Sequence, residues 1–454
     1  MNRLQYLFHT LAAVAVLVAA PPVEAQEIRP EKWSLQDCLD YALENNITLQ
    51  QSRIAAESSA VDVKTAKSAL FPNLSFSTSH SLINRPYRQT GSTVSGTEIL
   101  QSDGSTSYTG NYGLNAGWTI YNGGANRKSV RQAELDTRIA LLDTDAVANS
   151  IEESITQTYV QILYAAESVK VNRNTLEVSI AQSERGKQLL EAGSLSKADY
   201  AQLQAQVSSD KYQLVTSEAT LQDYKLQLKQ LLELDQDTEM ELELPEITDE
   251  NVLSLVPDKN TVFNAAIETR PEIESGRLNM EMSELNIGIA KAGALPSLNL
   301  SAGIGTNHTT GTDFTFTQQI RNGWNNSIGL TLSVPIFSNR QNRSSIEKAR
   351  LQYRTSELDL KQAYKDLYKT IENYYLDAGN SMAQYLAAKE QLESATTSFE
   401  LVSEQFGLGM KNTVELLTEK NNLLNAQQQL LQSKYMAVLS KTLLRFYAGE
   451  KLWL

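Results

Sequence analysis

The residues that could do bond chemistry are few in this sequence, and they are not spaced for it. The three histidines, His9, His80 and His308, match no metal-ligand spacing. The single cysteine, Cys38, cannot form an intramolecular disulfide and is expected to be a small apolar residue on a helix. The sequence holds no phosphate-binding glycine motif, and its carboxylates recur at helical intervals, as on solvated faces. We therefore predict a protein that is not an enzyme and uses no cofactor or metal.

The composition and the N-terminal residues predict export without nucleic-acid binding. The net charge of −13 argues against nucleic acid as a partner, because nucleic-acid-binding surfaces are basic. Residues 1–25 combine Arg3, a short apolar run and a small-residue site ending at Ala25, which is typical of a cleaved signal peptide. The apolar run is too short to span a bilayer. Because Cys38 lies well beyond the cleavage point, we predict no lipid anchor there.

An internal repeat organises the rest of the chain. Residues 66–75 resemble residues 290–299, and residues 113–121 resemble residues 329–337. The offset between the copies stays between about 216 and 224 residues, which indicates a duplication. The predicted organisation is a first repeat, an acidic surface connector and a second repeat, at residues 26–232, 233–257 and 258–454.

Four segments alternate apolar and small polar residues with the period of two that a β-strand requires. In the clearest one, Leu114, Ala116 and Trp118 alternate with Asn115 and Gly117. The pattern fits tilted membrane strands, and it also fits a water-facing sheet on an apolar core. Long polar loops are predicted after the first and third strands, at residues 83–107 and 306–325, as outer-membrane barrels have.

Two very long helices follow the strand pairs. Residues 126–191 and 339–406 contain no proline, and apolar residues recur there every three or four positions. A helix of roughly 66 residues is about 100 Å long, so it must lie against other helices, as in a coiled coil. Shorter helical segments are expected to stack end to end along each long helix, at residues 34–69 and 197–232 in the first half and 258–292 and 411–448 in the second.

The strand number requires several chains. Four strands cannot close into a membrane barrel, because the smallest such barrels have eight strands and an open edge in lipid leaves backbone groups unsatisfied. Two chains would supply eight strands and three would supply twelve. Strand counting alone leaves both numbers open.

One segment carries a family resemblance. The run from Arg270-Pro271-Glu272 through Ala290 to Pro296 and Leu298, together with the duplicated plan, resembles the TolC-like outer-membrane efflux proteins. The resemblance implies an α+β membrane protein that forms a homotrimer, with a 12-stranded β-barrel continued by a long α-helical barrel in the periplasm. It also implies an exit duct of the outer membrane, fed by an inner-membrane transporter through a periplasmic adaptor protein.

The resemblance further assigns roles to the ends of the helical hairpins. The turns that would form the periplasmic tip and contact the adaptor are at Gly193, Ser194, Leu195, Ser196, Gly407, Leu408, Gly409 and Met410. The residues that match the family's gate positions are Asp199, Phe406, Lys411 and Glu415. Lys411 could pair with either carboxylate, whereas the alternative interpretation is that these are ordinary solvated charges at helix starts.

The alternative function from another class is a trimeric outer-membrane structural protein, such as an adhesin stalk. A stalk usually joins one coiled coil to one barrel in series, whereas here strands interrupt helices twice. A periplasmic adaptor has one helical hairpin, whereas two very long hairpins are predicted here. The sequence therefore favours the exit duct, without specifying the exported substrate or the class of pump.

Overall fold

The computed structural model describes residues 32–84, 92–95, 98–101, 106–235 and 240–453. The signal peptide predicted at residues 1–25 lies outside them, as does part of the loop predicted at residues 83–107. No described helix combines the length and the apolar character needed to cross a membrane.

The first half of the chain runs from helices through strands to a long helical hairpin. Its elements are α1 (Leu35–Asn45), α2 (Ile47–Ser68), β1 (Asn73–Asn84), β2 (Ser92–Ser95), β3 (Glu98–Gln101), β4 (Thr106–Asn122), α3 (Ala125–Glu191) and α4 (Lys197–Leu231). The connector holds α5 (Asp249–Leu253). The second half contains α6 (Lys259–Thr269), α7 (Pro271–Ala292), β5 (Ser297–Thr309), α8 (Phe316–Asn322), β6 (Asn325–Ser333), α9 (Gln341–Gly407) and α10 (Thr413–Tyr447).

Corresponding helices of the two halves have equal lengths. Helices α1 and α6 have 11 residues each, and α2 and α7 have 22 each. Helices α3 and α9 have 67 residues each, and α4 and α10 have 35 each. The repeated lengths agree with the duplication inferred from the sequence.

Two segments predicted as continuous helices are each two helices. The first breaks at Asn46, whose backbone is extended and whose side chain accepts a hydrogen bond from the Leu49 N–H at 3.2 Å. The second breaks at Arg270, which is also extended. Pro271 explains the second break, because a proline disfavours helical backbone at the residue before it. The prediction of uninterrupted helices at residues 34–69 and 258–292 was therefore wrong.

The four long strands form one antiparallel sheet in the order β1-β4-β5-β6. The register opposes Phe76 to Leu114 and Leu300 to Trp118, so apolar side chains share one face. Within the described residues, β1 and β6 each have one unpaired edge. Strand β6 ends at Ser333, two residues before Pro335, because a proline cannot donate to a ladder.

The segments predicted as long polar loops also contain regular structure. Strands β2 and β3 pair with each other in the first, and α8 lies in the second. Thr315 caps α8 by accepting a hydrogen bond from the Gln318 N–H at 3.4 Å, and the Gln318 side chain accepts one from the Thr315 N–H at 2.9 Å. This reciprocal capping is the local signal that the sequence analysis missed.

The sheet brings two histidines together on its apolar face. Gly110 of β4 lies opposite both His80 of β1 and His308 of β5. A Cβ on Gly110 would lie 2.3 Å from the His308 ring, so any larger residue would force this imidazole to move. His80 stacks on Tyr108 and His308 stacks on Tyr112. Aromatic and imidazole rings therefore cover the strand backbone at this level.

The helices form an open layer that continues the sheet. Beside the sheet the contacts give the order α2–α3–α7–α9, and beyond the connector they give α4–α3–α10–α9. The long helices α3 and α9 run through both parts. The shorter helices therefore lie in succession along each long helix, as the sequence analysis predicted.

The largest core lies where the two parts of the layer meet, and the connector contributes to it. Trp33 pairs with the connector through the hydrogen bonds Trp33 N to Glu241 O at 2.8 Å and Glu243 N to Trp33 O at 2.9 Å. Apolar side chains of the connector are buried there, namely Met240, Leu242, Ile247 and Val252. The prediction of a surface connector was therefore incomplete, because these four side chains of the connector lie in the core.

Two buried cationic side chains stabilise the contacts between helices beside this core. Arg270 is buried, and its guanidinium lies 3.9 Å from the Tyr447 ring centroid and 4.4 Å from that of Phe446. Lys441 donates to the carbonyl oxygens of Asn251 at 2.7 Å and Val252 at 2.6 Å. Both side chains thereby connect α10 to neighbouring segments, by cation–π contact and by capping α5.

Candidate functional site

The site that the sequence singles out is the tip, defined here as the two hairpin turns and the helix ends that flank them. Gly193 and Gly409 have φ values of 74° and 76°, the left-handed conformation that favours glycine. At the first turn, the Ser194 N–H donates to Leu189 O at 2.8 Å, and at the second the Met410 N–H donates to Gln405 O at 2.9 Å. Both turns are therefore the same glycine-terminated helix end.

The helix that follows each turn begins with a side-chain cap. Ser196 accepts from the Asp199 N–H at 3.0 Å, and its hydroxyl donates to the Asp199 carboxylate at 2.6 Å. Asn412 accepts from the Glu415 N–H at 2.9 Å, and the Glu415 carboxylate accepts from the Asn412 N–H at 3.1 Å. Asp199 and Glu415 are thus equivalent in the two hairpins, where each carboxylate stabilises the start of its own helix.

Lys411 pairs with one of the two predicted carboxylates. Its ammonium lies 2.6 Å from Glu415, one turn away on the same hairpin, and no described contact joins it to Asp199. The hydrogen bond from Lys411 and the backbone bond from Asn412 lower the pKa of Glu415. Both ends of the pair are partly exposed, so it contributes little to stability.

Phe406 occupies a different environment from the other predicted gate residues. It is buried and packs with Leu203 of α4 and Leu416 of α10 in a small core at the tip. Gly186 of α3 allows this packing, because a Cβ there would lie 2.3 Å from Leu203 Cδ1. Any part that Phe406 plays in closing the tip is therefore through hydrophobic packing between the hairpins.

One polar contact between the hairpins was not predicted from the sequence. Arg185 of α3 donates to the carbonyl oxygen of Gly407 at 3.1 Å. This bond joins the first hairpin to the last turn of α9, where free carbonyl groups attract a cation. No sequence signal points to it, because the partner is a backbone atom.

Further along the hairpins lies a buried polar cluster that the sequence analysis also missed. Lys420 of α10 forms an ion pair with Asp210 of α4, and Ser179 of α3 donates to the same carboxylate at 2.5 Å. Burial lowers the pKa of Lys420, although Asp210 opposes this shift. A signal was available, because Asp210 follows Leu203 by one heptad and so falls on the seam of the coiled coil.

The tip has hairpin turns, caps and ion pairs, and it has no arrangement for bond chemistry. Among the described residues, no group of three or more His, Cys, Asp or Glu side chains could hold a metal ion. The exposed apolar side chains of the turns are Leu408 and Met410, at 74% and 71% exposure. Such a surface suits contact with another protein.

Comparison with known proteins identifies the family. The profile described as "Outer membrane efflux protein" matches residues 38–233 and 262–450. The chain belongs to the outer membrane efflux protein family. The match covers both halves of the duplication and leaves out most of the connector.

Members of this family resemble the chain at low identity. TolC of Salmonella enteritidis is 24% identical over 212 residues, which cover 45% of this chain and 43% of TolC. The aligned stretch thus spans less than half of that relative. The proteases secretion protein PrtF of Dickeya chrysanthemi is 21% identical over 436 residues, covering 92% of this chain and 88% of PrtF.

The same fold is found in a solved outer-membrane channel. The CmeC channel of Campylobacter jejuni superposes with a TM-score of 0.75 at 21% identity, covering 92% of this chain and 86% of CmeC. At this identity the likeness establishes the fold alone. The predicted resemblance to TolC-like proteins is confirmed by the family match.

Proposed function

We propose that the chain is the exit duct of an efflux or secretion system in the outer membrane of a Gram-negative-type cell. Three copies would form a 12-stranded barrel in the membrane and a helical tunnel in the periplasm. Substrates would reach the tunnel from an inner-membrane transporter through a periplasmic adaptor. The names of TolC and PrtF support this assignment, and so does the family match.

The observation that carries the proposal is that the two edges of the sheet continue into the two edges of the helical layer. Helix α2 leads into edge strand β1, and edge strand β6 leads into α9, which is the other edge of the helical layer. Both edge helices expose apolar side chains seven residues apart: Ile47, Ile54 and Val61 on α2, and Leu351 and Leu358 on α9. A heptad seam of this kind is what a coiled-coil partner covers.

The two faces of the sheet support insertion in a membrane. Phe76, Leu114 and Leu330 are exposed on one face, and small polar side chains such as Ser77 and Asn115 occupy the other. Apolar side chains toward lipid and polar side chains toward the lumen are the alternation of a membrane barrel. The proposed barrel therefore has its apolar face outward.

The tip is the proposed contact for the adaptor and the proposed gate. The adaptor would contact the two turns, whose left-handed glycines expose Leu408 and Met410 at the end of the tunnel. The gate would be closed by the weak polar contacts of Lys411, Glu415 and Asp199 and by the packing of Phe406. The weakness of exposed ion pairs suits a closure that a partner protein can open.

The test measures both the oligomeric state and the conductance of the protein. The purified protein in detergent is weighed by native mass spectrometry and inserted into planar lipid bilayers, beside Ile54→Glu and Ala55→Glu. Both positions are exposed on α2, but only Ile54 lies on the heptad seam. We expect a conducting trimer for wild type and Ala55→Glu, and no trimer for Ile54→Glu. A monomeric wild-type protein without channel activity would contradict the proposal.

A further inference from the structure

The polar cluster around Asp210 connects three helices from both hairpins. Asp210 belongs to α4 and Lys420 to α10, and the two side chains form an ion pair while being 5% and 2% exposed. Ser179 of α3 donates to Asp210 Oδ2 at 2.5 Å, and Gln206 donates to Asp210 Oδ1 at 2.9 Å. Both carboxylate oxygens therefore have partners, and one of those partners comes from the other hairpin.

This cluster lies near the tip, where the apolar core between the hairpins is small. Toward the tip, the described contacts between hairpins are the small core of Leu203, Phe406 and Leu416 and the bond from Arg185 to Gly407. Helices α4 and α10 themselves share only a few close approaches. Of the ion pairs that join the two hairpins among the described residues, Asp210–Lys420 is the more deeply buried, and the other is Glu167–Lys434.

Burial makes separation of this pair unfavourable. An ion that loses its partner in a dry environment leaves an uncompensated charge, whereas an exposed pair is simply replaced by water. Within one protomer, the exposed pair of Lys411 and Glu415 joins residues of one hairpin and does not link the two hairpins. Asp210 and Lys420 do link them, since they come from different hairpins.

We propose that Asp210 and Lys420 form a latch that holds the two hairpins of one protomer together while the tip is closed. This inference rests on the proposed function as a gated duct. The latch acts through the position of the tip helices, so both residues are positioning residues. Opening of the tip separates the hairpins on the tip side of the latch.

The test measures closed-state conductance of reconstituted trimers. Lys420→Met leaves the Asp210 carboxylate buried without its partner, and we expect conductance to rise several-fold. Asp210→Asn combined with Lys420→Met removes the link but leaves no unpaired buried charge, so conductance should stay above the wild-type value and below that of Lys420→Met. Lys420→Arg keeps the charge and should stay close to wild type. A role in packing alone would make the double variant at least as leaky as the single one.

The matched control is Arg173→Met. Arg173 and Glu218 form an exposed ion pair at 3.0 Å between α3 and α4, within one hairpin, so conductance should not change. An assembled Lys420→Met trimer with wild-type conductance would overturn the latch and leave the proposed function standing. A wild-type protein that forms no channel would overturn the proposed function instead.

Amide hydrogen exchange of the wild-type trimer keeps the inference testable if Lys420→Met fails to assemble. The tip side of the latch, at residues 190–205 and 404–418, should exchange together and faster than the helices beyond Asp210 and Lys420. Equal protection on both sides of the pair would overturn the latch.

Discussion

The middle of the molecule and its tip are built from the same helices, yet they are held together differently. In the middle, α1, α3, α4, α10 and the connector share one large apolar core. At the tip, the core between the hairpins is formed by Leu203, Phe406 and Leu416 with partly buried neighbours. Regions with few buried apolar contacts open locally at low free energy. The comparison indicates a fixed middle and a tip that is able to move.

The largest loss of stability is expected from a substitution that leaves a cavity in the core of the middle region. Ile155 is fully buried, and Ile155→Ala should lower the free energy of unfolding by about 2–5 kcal/mol. The measurement is thermal unfolding of the assembled protein. Ile180 on the same helix is half-exposed, so Ile180→Ala should cost clearly less. Equal losses for the two variants would contradict the placement of the core.

A cavity at the tip should have a different consequence. Phe406→Ala removes the largest side chain of the tip core, so the hairpins should separate locally while the middle stays folded. We expect conductance and amide exchange at the tip to rise, with little change in the unfolding temperature. Global unfolding comparable to that of Ile155→Ala would show that middle and tip are one cooperative unit.

The contact of the connector with α10 can be weakened through Lys441. Lys441→Met leaves the carbonyl groups of Asn251 and Val252 without their donor, which should cost about 1–3 kcal/mol. Faster proteolysis within residues 249–258 is the expected signature. Lys451→Met, at an exposed lysine near the end of the same half, is the control.

The same lysine gives the middle a pH dependence. Burial lowers the pKa of Lys441 to about 8, from an ordinary value of 10.5. Between these values the unfolded chain holds more protons than the folded one, so this group makes stability rise with pH. The difference in stability between Lys441→Met and wild type should therefore grow from pH 8 to pH 10.5. A difference that stays constant would contradict the lowered pKa.

A smaller change in conductance is expected when exposed charged residues at the tip are replaced. Replacing Lys411 and Asp199 together with alanine should raise conductance by less than Lys420→Met does. Because the pKa of Glu415 is lowered, its ion pair stabilises the tip at neutral pH and is lost as the pH falls through that pKa. Wild-type conductance should then approach that of the double variant in acid, and unchanged conductance would remove these residues from the gate.

No reaction with thiol reagents is expected at Cys38. Its thiol is buried in the middle, and burial raises its pKa to about 12. A thiol reagent should leave Cys38 unmodified in the wild-type protein, and equally in Phe406→Ala with its opened tip. Labelling of Cys38 in that variant would show that opening of the tip spreads to the middle.

Periodicity was sufficient to predict the long helices, the four strands and their order along the chain. The helix breaks at Asn46 and Arg270 had local signals, a capping asparagine and a following proline. The burial of Leu242 and the placement of His80 and His308 on either side of Gly110 had none, because they depend on contacts between distant segments. Asp210 and Lys420 lie between these cases. A charged residue at a heptad position that is usually apolar can be recognised in the sequence, but its partner is seen only in the three-dimensional structure.

The most direct test of the duct is electron microscopy of the detergent-purified protein. Helices of about 100 Å and a barrel of about 30 Å predict a hollow, threefold, tapered particle about 130 Å long. Such a particle, narrowing at the end that carries Gly193 and Gly409, would match the account. A compact globule, or a solid filament without a lumen, would contradict both the trimeric barrel and the export function.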